Sequence, residues 1–349
     1  MSNTHERIDD GDAFSENDDI TSTTSITSHI ETPSHFRRLL RNRAGTVRTI
    51  WRMLLYILIA GILTLTVQGV SRLLFESPGG KQEIDSVRSI IGFFISDALL
   101  IFAAGIMLKA IDRRPFTLYG LGFHRGWLVE FAGGMAWGVI LLLAVFVLLL
   151  LSGSGTVVMS GIDPPVRTGI GRMFLVFLGA AALEELVMRG YLFQAFVEGT
   201  TPIIGVVAFS CLFGLGHTSN EHWGLIGFLN TSLAGVLLSV LYLKTRSLWL
   251  PIGVHTTWNW TQGSILGIPV SGIDIDESIV TFSPSGSTVL NGGEFGAEGS
   301  IFATAILTAA IIWAIFNHRL RPSERLVQLW RETKSDMVRV KSYPEPPSD

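Results

Sequence analysis

Glu184 and Glu185 stand side by side in an apolar run from about Met173 to Val197, with Arg189 one helical turn beyond. A helix of that length spans a bilayer, and Glu184 falls near its middle. Asp, Lys and Arg at the hydrocarbon midplane each cost at least about 2.5 kcal/mol on insertion scales, so ionisable residues there mark function by default. The spacing divides the labour. Glu185 and Arg189 are four apart with the acid first, so they share a face and neutralise each other. Glu184 points about 100° away from Glu185 and lacks that partner. Either it is a spare acid beside a structural ion pair, or it meets polar groups from elsewhere in the chain.

Two further runs supply such groups. One ends Phe213-Gly-Leu-Gly-His217, and the other holds His255-Thr-Thr-Trp-Asn259. His255 and Asn259 project from one helical face, as do Phe213 and His217, with the Phe ring packing one turn below the imidazole. Gly214 and Gly216 allow close approach of helices. One carboxylate and two imidazoles can activate a water, either directly or through a metal. As a direct base, Glu184 gains from burial, which raises its proton affinity towards the operating pH. With a metal, Glu184, His217 and His255 make a three-ligand site with an open water position, as in zinc hydrolases. Asn259 is a neutral donor suited to an oxyanion. No His-Glu-x-x-His or Gly-x-Ser-x-Gly motif occurs, so the common zinc-protease helix and a serine nucleophile elbow are absent.

These residues need a membrane scaffold to meet. Of the 349 residues 48% are hydrophobic and only 16% charged, against about 25% charged in soluble domains. The expected fold is an all-α, polytopic bundle of about eight transmembrane helices, at 51–71, 90–111, 128–151, 173–197, 202–219, 223–243, 248–266 and 301–317. Spans four and five, joined by a tight connection, are expected to form an antiparallel hairpin. Cys211 is the only cysteine, which excludes disulfides within the chain and Cys-based metal clusters.

The expected organisation is a disordered acidic tail at 1–35, a basic juxtamembrane collar at 36–52, a bundle at 51–317 with its motif core at 173–260, and a basic tail at 318–349. No early apolar core of a secretory signal opens the tail. The collar reads as an anchor on anionic lipid rather than a nucleic-acid site. With eight spans both termini share a side, which then holds 19 of the 26 Lys and Arg residues against 5 opposite; the positive-inside rule makes that side cytoplasmic. The 267–300 loop carries Asp274, Asp276, Glu277, Glu294 and Glu298 without a Lys or Arg, and reads as a solvated linker in preference to a lid. In the tail, Leu326, Val327, Trp330, Met337 and Val338 recur at helical spacing, either as an interfacial helix or as a frayed end.

Glu184-Glu185-x-x-x-Arg189, Phe213-x-x-x-His217 and His255-x-x-x-Asn259 resemble, in order and type, the intramembrane proteases of the CAAX-prenyl-protease and bacteriocin-processing (Abi) family. The resemblance covers about residues 173–260. It implies an endopeptidase acting on membrane-associated or prenylated substrates, with a peptide or lipidated protein and the bilayer as partners. Carried over, Glu184 activates the water with His217, His255 and Asn259 hold the oxyanion, and Glu185, Arg189 and Phe213 support them. The family is described both as metal-dependent and as metal-free, so the implied cofactor is either none or a divalent metal such as zinc, on Glu184, His217 and His255.

Two rivals place the same residues differently. A transporter also carries acids and imidazoles in its spans, and Asp97 is a further apolar-run acid, but no repeated halves are visible. A non-catalytic scaffold or bacteriocin-immunity protein on the same fold would be signalled by a lost motif residue, and none is lost.

Overall fold

The computed structural model describes residues 39–41, 46–75 and 87–339. The acidic tail, parts of the collar and residues 340–349 lie outside the described residues. The elements are almost all helical: α1 (Thr49–Phe75), α2 (Val87–Ile106), α3 (Trp127–Leu151), α4 (Pro164–Met188), α5 (Tyr191–Gly199), α6 (Pro202–Gly216), α7 (Leu225–Thr245), α8 (Trp249–Trp260), α9 (Ile301–Phe316) and α10 (Glu324–Arg339). A π turn, Met107–Asp112, extends α2, and another, Thr261–Ile265, extends α8.

Helices occupy all eight expected stretches. Among the described residues, four are long and apolar enough to cross a membrane: Thr49–Val70, Val87–Asp112, Trp127–Leu151 and Leu225–Thr245. α6 and α9 are apolar but shorter. The expected span over 173–197 is corrected. α4 starts early, where Asp163 accepts the Val166 N–H at 3.1 Å and Pro164 occupies the first turn, a position that tolerates a missing N–H. It stops at Met188, because the chain breaks at Gly190, where a Cβ would strike the Leu186 carbonyl and the Tyr119 hydroxyl. Glu184 therefore lies near the C-terminal end of a helix, not at the centre of one. The tight hairpin joins α5 to α6, and α6 packs chiefly on α7.

α8 is the axis of the bundle. Leu250 through Trp258 are all buried, the pattern of a helix enclosed on every side. α3, α4 and α7 pack around it, with α3 the tightest neighbour. That closeness comes from Gly134 and Gly138 of α3 and Gly253 of α8, each of which faces backbone of the opposite helix with no room for a Cβ. Small residues serve membrane helices in this way, since dispersion contacts replace hydrophobic drive.

At one end of the bundle Arg52 of α1 pairs with Asp112 at 2.8 Å and with Glu198 of α5 at 2.9 Å, and Arg114 also pairs with Glu198. α10 packs against the turn Phe116–Tyr119 at this same end. In α10, Leu326 is buried, whereas the side chains of Trp330, Met337 and Val338 lie outside the described residues. The opposite end carries a two-stranded antiparallel sheet, β1 (Gly155–Met159) with β2 (Val280–Pro284), Gly155 facing Pro284. The 267–300 loop is not a solvated linker. It contributes β2, and Ile268, Val270, Phe282, Phe295 and Ala297 are buried.

Candidate active site

Three helix segments deliver the motif residues. α4 ends one residue before Arg189, whose backbone N–H still bonds the Glu185 carbonyl at 2.7 Å. Its guanidinium is fully buried and held on three sides. Nη1 donates to Glu185 Oε1 at 2.9 Å, Nη2 to the Gly235 carbonyl at 2.8 Å and Nε to Ser239 Oγ at 3.2 Å. The guanidinium also lies over the Phe213 ring, 4.8 Å from its centroid, a favourable site for a cation. The i,i+4 pair expected from the sequence is present, and α7 adds two partners that the sequence reading missed. Ser239, a polar residue in an apolar helix, was the available signal.

Glu185 does more than neutralise Arg189. The same Oε1 accepts from His255 Nδ1 at 3.0 Å. The other imidazole nitrogen, Nε2, lies 3.7 Å from Glu184 Oε2. Glu184 is half-buried, and its Oε2 has no hydrogen-bond partner among the described residues. The 3.7 Å separation is longer than a hydrogen bond but within ion-pair range once the imidazole is protonated.

His217 caps α6. Its Nδ1 donates to the Phe213 carbonyl at 2.7 Å, one of the last-turn carbonyls that a helix leaves unpaired. Nδ1 therefore carries the proton in the neutral ring, and Nε2 keeps its lone pair. Phe213 stands between the two histidines, its centroid 4.8 Å from the His217 ring and 5.8 Å from the His255 ring. Gly214 permits the α6–α7 contact, with Ser232 and Phe228 where its Cβ would be; Gly216 faces open space instead.

His217, His255, Asn259 and Phe213 line one cavity with Asn230 and Glu298. It has about 50 Å³ open to water centres, room for a few waters. Glu184 is not part of that lining. It reaches the group from α4, through His255. Asp97 of α2 is also apart: it is buried, with Oδ1 lacking a partner among the described residues, and Arg189 bonds elsewhere.

Among the described residues no three His, Cys, Asp or Glu side chains are grouped so as to hold a metal ion. Glu184, His217 and His255 do not fit as a three-donor set, since Glu184 lies outside the cavity that the two histidines share.

Glu298, Ser271 and Asn230 form a polar side of the cavity, with Gln262 bonded to Glu298 behind it, and the motifs did not point to them. Burial pushes the Glu298 carboxyl above its usual range, while bonds from Gln262 and Ser271, with His217 nearby, pull it part of the way back.

Apolar helices around buried ion pairs and a polar cavity define an integral membrane protein of the helical class. Within it, residues 166–261 match the family model of the Rce1-like type II CAAX prenyl endopeptidases. That segment runs from the first turns of α4 to the end of α8 and contains all three motifs, so the match agrees with the resemblance they carry. No match was found among curated proteins.

Proposed function

We propose that the chain is an intramembrane endopeptidase that hydrolyses peptide bonds of membrane-associated substrates, prenylated CAAX-type proteins among them. Glu184, turned from its place beside His255 towards the cavity when substrate binds, takes a proton from a water there, and His217 Nε2 orients that water through its lone pair. The hydroxide oxygen attacks the carbonyl carbon. Asn259 and His255 face the developing oxyanion, where preorganised donors are worth most. With Nδ1 donating to Glu185, His255 Nε2 donates to the oxyanion as the imidazolium. On collapse the C–N bond breaks, and the proton held by Glu184 passes to the leaving amine. The products are a carboxylate and a free amine.

The observation that carries this reading is the Glu184–His255 pair. A carboxylate oxygen without a hydrogen-bond partner among the described residues lies 3.7 Å from an imidazole nitrogen, which sets the proposed base directly beside the proposed oxyanion donor. The match of residues 166–261 to the model of a protease family supports it. We keep the reading of about eight spans with both termini cytoplasmic, which rests on the distribution of Lys and Arg along the chain. The test is cleavage by the purified chain in nanodiscs, assayed on prenylated and unprenylated peptide libraries by mass spectrometry. Sequence-specific cleavage that disappears in Glu184→Gln is expected. Cleavage retained in that variant would sink the assignment.

A further inference from the structure

Glu298 lies outside the three motifs and outside the matched segment, on the turn Ala297–Gly299 that leads into α9. It is 7% exposed, yet a buried carboxylate is tolerated only when hydrogen-bonded. Its Oε2 accepts from Gln262 Nε2 at 2.6 Å and from the Ser271 N–H at 3.1 Å, and Oε1 accepts from Ser271 Oγ at 3.3 Å. Gln262 stands three residues beyond Asn259, on the π turn that extends α8. Ser271 is held from its other side as well: its carbonyl accepts from Asn220 Nδ2 at 2.9 Å. Asn220 follows His217 by three residues, and its backbone N–H bonds the His217 carbonyl at 3.2 Å. The turn itself is anchored to α7, because Asn230 Nδ2 donates to the Glu298 and Ser300 carbonyls at 2.7 and 2.8 Å.

The structure assigns Glu298 as a positioning residue: its carboxylate ties the turn after His217 to the π turn that follows Asn259, and so sets the separation of those two side chains across the cavity. The need is physical. α6 stops at Gly216, and α8 passes into a π turn just after Asn259, so His217 stands at a helix end and Asn259 next to a change of helical winding. Two independent segments would wander relative to each other. The Asn220–Ser271–Glu298–Gln262 chain makes them one unit. The catalytic consequence rests on the hydrolase reading above; the mechanical one does not.

The experiment uses the full chain in nanodiscs, with hydrogen exchange by mass spectrometry and kinetics on a cleaved peptide. In Glu298→Ala, amides at 217–222 and 259–266 should both exchange faster. Turnover should fall up to about 10²-fold, the scale of a 1 Å misplacement, with KM little changed. Glu298→Gln should behave like the wild type, because its amide oxygen can accept from Gln262 and the Ser271 N–H while its NH₂ donates to Ser271 Oγ. Asn220→Ala cuts the same chain at its other end. It should loosen both segments and add little to Glu298→Ala, and it carries the test alone if Glu298→Ala does not accumulate. Faster exchange confined to residues near 298 would overturn the proposal. So would a Glu298→Gln enzyme as slow as Glu298→Ala, since charge and not geometry would then matter. If the wild type cleaves nothing, or Glu184→Gln cleaves normally, the hydrolase reading falls, and the exchange data still decide the clamp.

Discussion

Glu185 Oε1 accepts the Nδ1–H of His255 at 3.0 Å while the same oxygen takes Arg189 Nη1 at 2.9 Å. One carboxylate oxygen thus joins an intrahelical ion pair to a histidine on a different helix. The supporting acid of the sequence motif is also the group that orients the imidazole, as carboxylates commonly do for functional histidines.

Folding and chemistry should therefore separate in a double variant. Glu185→Ala strands Arg189 as a buried charge, a loss of about 3–5 kcal/mol, and should lower the amount of folded protein. Glu185→Leu combined with Arg189→Met should restore much of that amount, measured by size-exclusion chromatography and thermal unfolding. Cleavage should stay low, because His255 has still lost its Nδ1 acceptor. Full recovery of cleavage in the double variant would show that Glu185 serves only Arg189.

Glu184→Gln should leave folding and thermal stability near the wild-type level, since Glu184 is half-buried and Arg189 is bonded by Glu185. Its kcat/KM should drop by about 10²–10⁴, the usual weight of a general base. An unfolded Glu184→Gln protein would instead place this acid in the structural framework.

His255→Ala and Asn259→Ala should each reduce turnover by about 10²–10³, the scale for removing one oxyanion donor, and chelator treatment should leave the wild type active. The check is metal stoichiometry by mass spectrometry beside activity before and after chelation. One zinc per chain, lost with activity and restored with it, would replace this account by a metal-assisted one.

Gly138→Ala should disturb the site from a distance. A Cβ there meets Thr257 Oγ1 and the Val254 carbonyl, so α8 must move away from α3 and carry His255 with it. Overpacking of this kind costs about 1–3 kcal/mol. Lower thermal stability with a reduced kcat is expected, whereas an equally tolerated Gly133→Ala, which faces open space, serves as control.

Composition and hydropathy by themselves determined that the chain is helical and built for a bilayer, because a lipid-facing backbone must satisfy its own hydrogen bonds. Spacing alone was enough to place Glu185 against Arg189, Phe213 against His217 and His255 beside Asn259, since i,i+4 neighbours share a face in any helix. Contacts between helices were not legible in this way. At Gly190 the Tyr119 hydroxyl, distant in sequence, joins the Leu186 carbonyl in leaving no space for a Cβ. The depth of α8 follows from three glycines on two helices, each unremarkable in its own segment. Local pattern could not distinguish the 267–300 loop from a polar linker either, because what buries Glu298 is the meeting of Gln262, Ser271 and Asn230 from separate elements. Periodicity reports which side of a helix a residue occupies, and only the packed bundle decides what that side touches.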